Sequence, residues 1–271
     1  MSSGKKHRSK ESEPDSDHGP HSNKAKGAEA TQDDIQLATY LTEMKSDLGH
    51  RSHVLGCLIR GCHFEIWLAD ASAIVRSELI DYLANPKPFI HIMMGLMSCG
   101  VSDLGFSDRF IPPPTDGAFR LPTSLEGWSY RASPTCTVLI EDTVEVRWGL
   151  VGRGPCVFQV KHKPHAASSI LKTSWPFAVR ERGGELLRRA RDLGGDNVTV
   201  VWESFTGDRL SDGPRKKLGT RQSLWKRYSE EKTEAQFQKY MEELDRVLEI
   251  LIEEPLYPLH SVGCSHTYMR A

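Results

Sequence analysis

WGLVGRGPCVFQVKHK, running from Trp148 to Lys163, sets Gly152 and Gly154 between two alternating β-prone runs. The pattern predicts a hairpin whose turn carries two residues without Cβ, so that its backbone N–H groups can approach a polyphosphate. Downstream, Ile170-Leu171-Lys172 ends a short apolar run and places one lysine on the next strand. A polar-faced helix is then expected from about Arg180 to Asp192, with Gly194-Gly195 as its C-cap. Glu185 lies on that helix with Leu186 and Leu187 on its buried side, and Arg189 four residues on offers a surface partner.

Working outward, residues 1–30 are polar and mixed in charge, contain no aromatic residue, and predict a disordered tail. Behind the cap candidates Thr31 and Asp33, the positions Ile35, Leu37, Ala38, Leu41 and Met44 recur at helical spacing. His53–Leu68 breaks at Arg60-Gly61 as a hairpin would, with Ala73–Ile80 as a further strand. Phe89–Cys99, FIHIMMGLMSC, is apolar on more than one face and predicts a buried helix. Strands are expected at Thr135–Ile140, Val144–Leu150, Val157–Lys161, Ser169–Ser174, Val198–Trp202 and Leu248–Ile252. Gly207–Thr220 reads as a basic loop, and Glu234–Val247 as an amphipathic helix.

The 271 residues carry 35 Lys plus Arg against 36 Asp plus Glu, a formal charge of -1. That balance argues against a nucleic-acid role, although KHRSK at 6–10 and PRKKLGTRQSLWKR at 214–227 are locally basic. No apolar run reaches the length of a membrane span, and the N-terminus has no signal-like apolar region, so no membrane contact is expected. Cys57, Cys62, Cys99, Cys136, Cys156 and Cys264 form no CxxC pair and no zinc-ligand spacing. Reduced thiols in an intracellular protein, cytoplasmic or nuclear, fit this usage. His260, Cys264 and His266 sit in a short tail that offers no fixed metal geometry, and no metal site is expected.

Order and spacing then point to phosphate chemistry of one kind. A protein-kinase loop reads GxGxxG, and Cys156-Val157 stand where the third glycine belongs. Lys172 follows at the place of the lysine that holds the α- and β-phosphates, and Glu185, with Glu181 as fallback, at the place of its helix-borne partner. Against this, the chain contains neither HRD nor DFG. Arg191-Asp192-Leu193 with Asn197 imitates half of a catalytic loop, but Gly194-Gly195 already explain it as a helix end.

On QLATYLTEM, HVLGCLIRGCHFEIWLADASAIVRSELIDYL, LGFSDRFIPPP, GRGPCVFQVK, SILKTSWP and ELLRRARDLG, the chain resembles the fungal-type protein kinase domain family over roughly residues 35–271. Asp70-Ala71-Ser72-Ala73 keeps only part of the family's aspartate–basic–serine–glycine stretch. The resemblance implies an α+β chain in three parts: a tail at 1–30, a mixed N-terminal α/β region at 31–143, and a kinase-like small lobe at 144–271. That lobe would hold an antiparallel sheet of about five strands and one helix. The resemblance further implies ATP held by Gly152, Gly154, Val157, Lys172 and Glu185, with Glu253 to Leu256, including Glu254, as the hinge facing adenine. Mg²⁺ would enter only with a large lobe, which this sequence is expected to lack, leaving a serine/threonine-type phosphotransferase domain incomplete and by itself inactive. The alternative is a pseudokinase-like binding protein, with a protein substrate or a family member as partner.

Overall fold

Thr31 opens the first helix by a reciprocal cap: its hydroxyl accepts from the Asp34 N–H at 3.2 Å, and the Asp34 carboxylate accepts from the Thr31 N–H at 2.9 Å. In the computed structural model, which describes residues 30–49, 51–114, 122–163, 168–195, 198–217, 219, 221–222, 229 and 233–255, this helix is α1, Gln32–Ser46. The expected 1–30 tail, residues 260–271 and much of the 214–227 tract lie outside the described residues. Leu37 and Leu41 bury one face of α1 against β1 (His53–Arg60). The chain turns at Gly61 into β2 (His63–Asp70), which pairs with β1 from His53↔Asp70 to Arg60↔His63. β3 (Ile74–Arg76) and β4 (Ile80–Asp81) both pair with β2, so a four-stranded antiparallel sheet forms around that strand.

α2 (Pro86–Ser98) is the helix expected at Phe89–Cys99, but none of its residues is buried, and Met97 is 85% exposed. Its contacts with the small sheet run through Phe89, which packs edge-on against Phe64 and beside Tyr82. Apolar periodicity establishes that a helix has a hydrophobic face; it does not supply the second layer that would cover it.

The larger sheet comprises β5 (Phe110–Ile111), β6 (Ser129–Arg131), β7 (Thr137–Val146), β8 (Cys156–Lys161), β9 (Ser168–Ser174), β10 (Val201–Arg209) and β11 (Val247–Glu253). Their order is β10-β11-β9-β8-β7-β6-β5, antiparallel throughout. β7 lies across the expected boundary at residue 144, and it joins two expected strands into one through irregularities at Ile140/Asp142 and Thr143/Glu145. β10 runs to Arg209, into the expected loop, because Arg209 finds a partner in Val247. A 3₁₀ turn at Leu210–Asp212 and the short α4 (Pro214–Lys217) follow.

Strand alternation sorts this sheet into two faces. Val138, Ile140, Phe158, Val160, Leu171, Ile250 and Ile252 project inward with Tyr130 and form its core. The sheet curls toward a barrel, so that Arg109, beside β5, reaches Asp208 on β10 at 3.4 Å. The outward face carries α3 (Gly183–Asp192), while α5 (Glu234–Leu244) precedes β11 under a Thr233/Gln236 capping box. The α+β class read from the sequence is the class of the structure. No described helix is long and apolar enough to cross a membrane.

Candidate nucleotide-binding face

The turn between β7 and β8 carries Gly152 at φ 129° and Gly154 at φ 47°, backbone that glycine adopts without the strain a Cβ would bring. A Cβ at either position would meet nothing within 4 Å, so the side facing away from their backbones is open. The rest of the turn is tied down. Gly152 N–H donates to Ala71 O at 2.8 Å, Lys45 Nζ to Leu150 O at 2.5 Å, and Trp175 N–H to Arg153 O at 2.8 Å. Burial lowers the Lys45 pKa to about 8, with Asp70 opposing that shift.

Asp70 is the reason the turn finds Ala71 in place. One carboxylate oxygen accepts from the Ser72 and Ala73 N–H groups at 2.7 and 3.1 Å, which folds the Asp70-Ala71-Ser72-Ala73 stretch. Both oxygens also take Arg215 in a buried fork, at 2.6 and 2.7 Å. Sequence reasoning passed over this pair. Asp70 stood out only as part of the family's aspartate–basic–serine–glycine stretch, and its partner lies 145 positions away in the segment read as a basic loop.

Lys172 sits on β9 opposite Val157 of β8 and Leu251 of β11. That register puts Lys172, Val157 and Glu253 on the outward face, Glu253 lying two residues beyond Leu251. Glu253 is buried; desolvation pushes its carboxyl pKa up, and the charge of Lys172 opposes the rise. Glu254 is held at the start of β10, where its carboxylate accepts from Val200 N–H at 3.1 Å and its own N–H donates to Val200 O at 3.0 Å. Leu256, the far end of the expected hinge, lies outside the described residues.

α3 lies on the same outward face by virtue of one glycine. A Cβ on Gly184 would stand 2.5 Å from Ser204 Oγ and 3.0 Å from Leu251, so only glycine permits this approach. The buried carboxylate of Glu249 on β11 accepts from Gly184 N–H at 3.2 Å and caps the helix, a task Arg182 at the N-cap position does not perform. Glu185 nevertheless points into solvent, and among the described residues no ion pair joins it to Lys172. Arg189 of this helix pairs with Glu181, which precedes the helix, at 2.6 Å in place of the expected Glu185. Asp192 ends α3, Leu193 N–H returns to Arg189 O, and Gly194 turns at φ 89°, as a helix terminus requires. Asn197 lies outside the described residues.

Of the residues expected at an ATP site, the fold therefore brings Val157, Lys172 and Glu253 onto one face, with Gly152 and Gly154 in the turn at its edge. Glu185 shares the element but not the contact. No curated protein and no solved structure matches this chain. The model of the fungal protein kinase family matches residues 5–253, across both sheets and the helix between β9 and β10, and the chain belongs to that family.

Proposed function

We propose that the outward face of β7–β11 is a nucleotide-binding surface, taking ATP in the manner of a protein-kinase small lobe. The observation that carries this reading is the succession of parts. A glycine turn joins the first two strands, Lys172 stands on the third opposite Val157, a helix follows, and Glu253-Glu254 end the last strand. Because the Gly152 N–H is committed to Ala71, recognition of phosphate charge falls to Lys172. Bound ATP would supply the transferable phosphoryl group. Orienting a substrate hydroxyl and holding Mg²⁺ call for the carboxylates of HRD and DFG motifs, and neither motif occurs in these 271 residues. Nucleotide binding inside the cell, without phosphotransfer, is the activity we propose for this chain.

Titration of the full chain with a fluorescent ATP analogue tests the assignment. Lys172→Ala is expected to weaken binding about tenfold or more without loss of fold, and Glu185→Ala to leave it unchanged. Binding that ignores Lys172 overturns the reading, as does transfer of radiolabelled γ-phosphate by Lys172→Ala. The exposed apolar side of α2 favours a second role as a binding partner of other family members. Retention of a full-length family protein by the immobilised chain distinguishes that role from nucleotide binding alone.

A further inference from the structure

The inward face of the curled sheet carries one polar constellation among its apolar residues. Cys136 lies one residue before β7, His162 one residue after β8, and Glu203 on β10. Cys136 follows the inward alternation of Val138 and Ile140, His162 that of Phe158 and Val160, and Glu203 pairs with inward-facing Ile252. Cys136 and His162 are buried, while the Glu203 side chain is 32% exposed and opens the cluster to solvent. His162 Nε2 lies 3.8 Å from Cys136 Sγ and 3.1 Å from Glu203 Oε1, and the three potential ligand atoms all fall within 4.8 Å of one another.

We propose that Cys136, His162 and Glu203 form a zinc site with one sulfur, one nitrogen and one oxygen ligand from the protein. A tetrahedral ion with ordinary zinc bond lengths separates sulfur from nitrogen by about 3.6 Å and nitrogen from oxygen by about 3.3 Å. The observed separations stand within a few tenths of an ångström of both. The donor set suits a borderline-soft divalent cation and disfavours Mg²⁺ or Ca²⁺, which take oxygen. Three protein ligands leave a fourth position on the solvent side of Glu203.

Nucleophilic chemistry fits the cluster poorly. Burial, together with the charge and hydrogen bond of Glu203, pushes the Cys136 thiol up to about 12, the opposite of what activates a cysteine. A divalent cation changes that balance: as the metal–sulfur bond forms, the S–H bond breaks and its proton passes to solvent. Thiolate and carboxylate then neutralise the ion. The cross-link would tie β10 to the paired strands β7 and β8, from which β11 and β9 separate it in the sheet.

A second cluster, Cys62, His63 and Asp81, provides an internal control, being more exposed and drawing two ligands from adjacent residues. The full chain is titrated with Co²⁺, and Zn²⁺ is then added. One thiolate-to-cobalt charge-transfer band with tetrahedral d–d absorption is expected per chain, bleached by Zn²⁺, with release of the Cys136 proton. Cys136→Ser removes the band, and Cys62→Ser leaves it intact. Glu203→Gln keeps the band and raises the Co²⁺ Kd at least about tenfold. Because Cys136 is buried, Glu203→Gln at the half-exposed ligand is the variant least prone to misfold, and an unchanged Kd there overturns the site. Absence of the band in the wild type, its survival in Cys136→Ser, or its loss in Cys62→Ser does the same.

Discussion

In the four-stranded sheet a small apolar cluster shares the space under α1 with a network of ion pairs, whereas the interior of the seven-stranded sheet is largely apolar. Around β1 and β2, Arg60 contacts Asp34 and Glu65, and Arg76 forks onto Glu65 at 2.9 and 3.1 Å while stacking on Trp67. The apolar cluster beside them is compact, built on Leu37, Leu41, Val54, Trp67, Ala69 and Leu150. The larger sheet instead closes over a continuous apolar interior from Leu125 to Ile252. A small sheet with two very short strands has little surface to bury, so directional ion pairs fix its geometry where hydrophobic burial cannot. Such pairs specify position more than they add stability, since much of their attraction offsets the cost of desolvation.

The largest effect should come from Phe158→Ala, which removes a fully buried ring from the apolar interior. A loss of about 3–5 kcal/mol in urea unfolding is expected, with both sheets melting together if they form one cooperative unit. Separate transitions would show that the ionic sheet stands alone and would break the contrast into two domains. Next comes Lys45, at the junction between the sheets. Its folded pKa of about 8 lies below the ordinary lysine value of 10.5, so between these pH values the unfolded chain binds the extra proton and stability rises with pH. Wild type should gain roughly 3 kcal/mol over Lys45→Met across that window, and nothing below it. Cys156, whose thiol burial pushes up to about 11 while the Lys45 charge opposes that rise, contributes the opposite slope in both proteins. A flat difference would remove Lys45 as a buried tie. The smallest change belongs to Met97→Ser on α2, expected within about 0.5 kcal/mol because the side chain already faces water. A loss above about 2 kcal/mol would mean that the exposed helix is covered by another molecule in solution.

Much of this architecture was legible in the residues because it is local. Alternation located β8 and β9 almost to the residue, and Thr31 and Gly194 announced helix ends through caps. Long-range placement was not legible in the same way. The apolarity of FIHIMMGLMSC carried no information about whether a layer would cover it, and Glu185 reads identically whether its helix turns it toward Lys172 or into water. Cys136, His162 and Glu203 are separated by 26 and 41 positions, so no spacing rule for metal ligands can find them. The pairing of β7 with β8 brings Cys136 to His162, and the curl of the sheet brings Glu203 to both.

The glycine turn has a mechanical consequence. Leu150, Gly152 and Arg153 are bonded to α1, to the bend after β2 and to the end of β9 respectively. Lifting the turn by itself would sever all three connections at once, leaving carbonyls at Leu150 and Arg153 and a donor at Gly152 without partners. It therefore acts as a keystone rather than a flap. A nucleotide bound as proposed would lie along the outward face of β8 and β9, and any force that pries the turn open would be passed directly to the ion-paired sheet behind it.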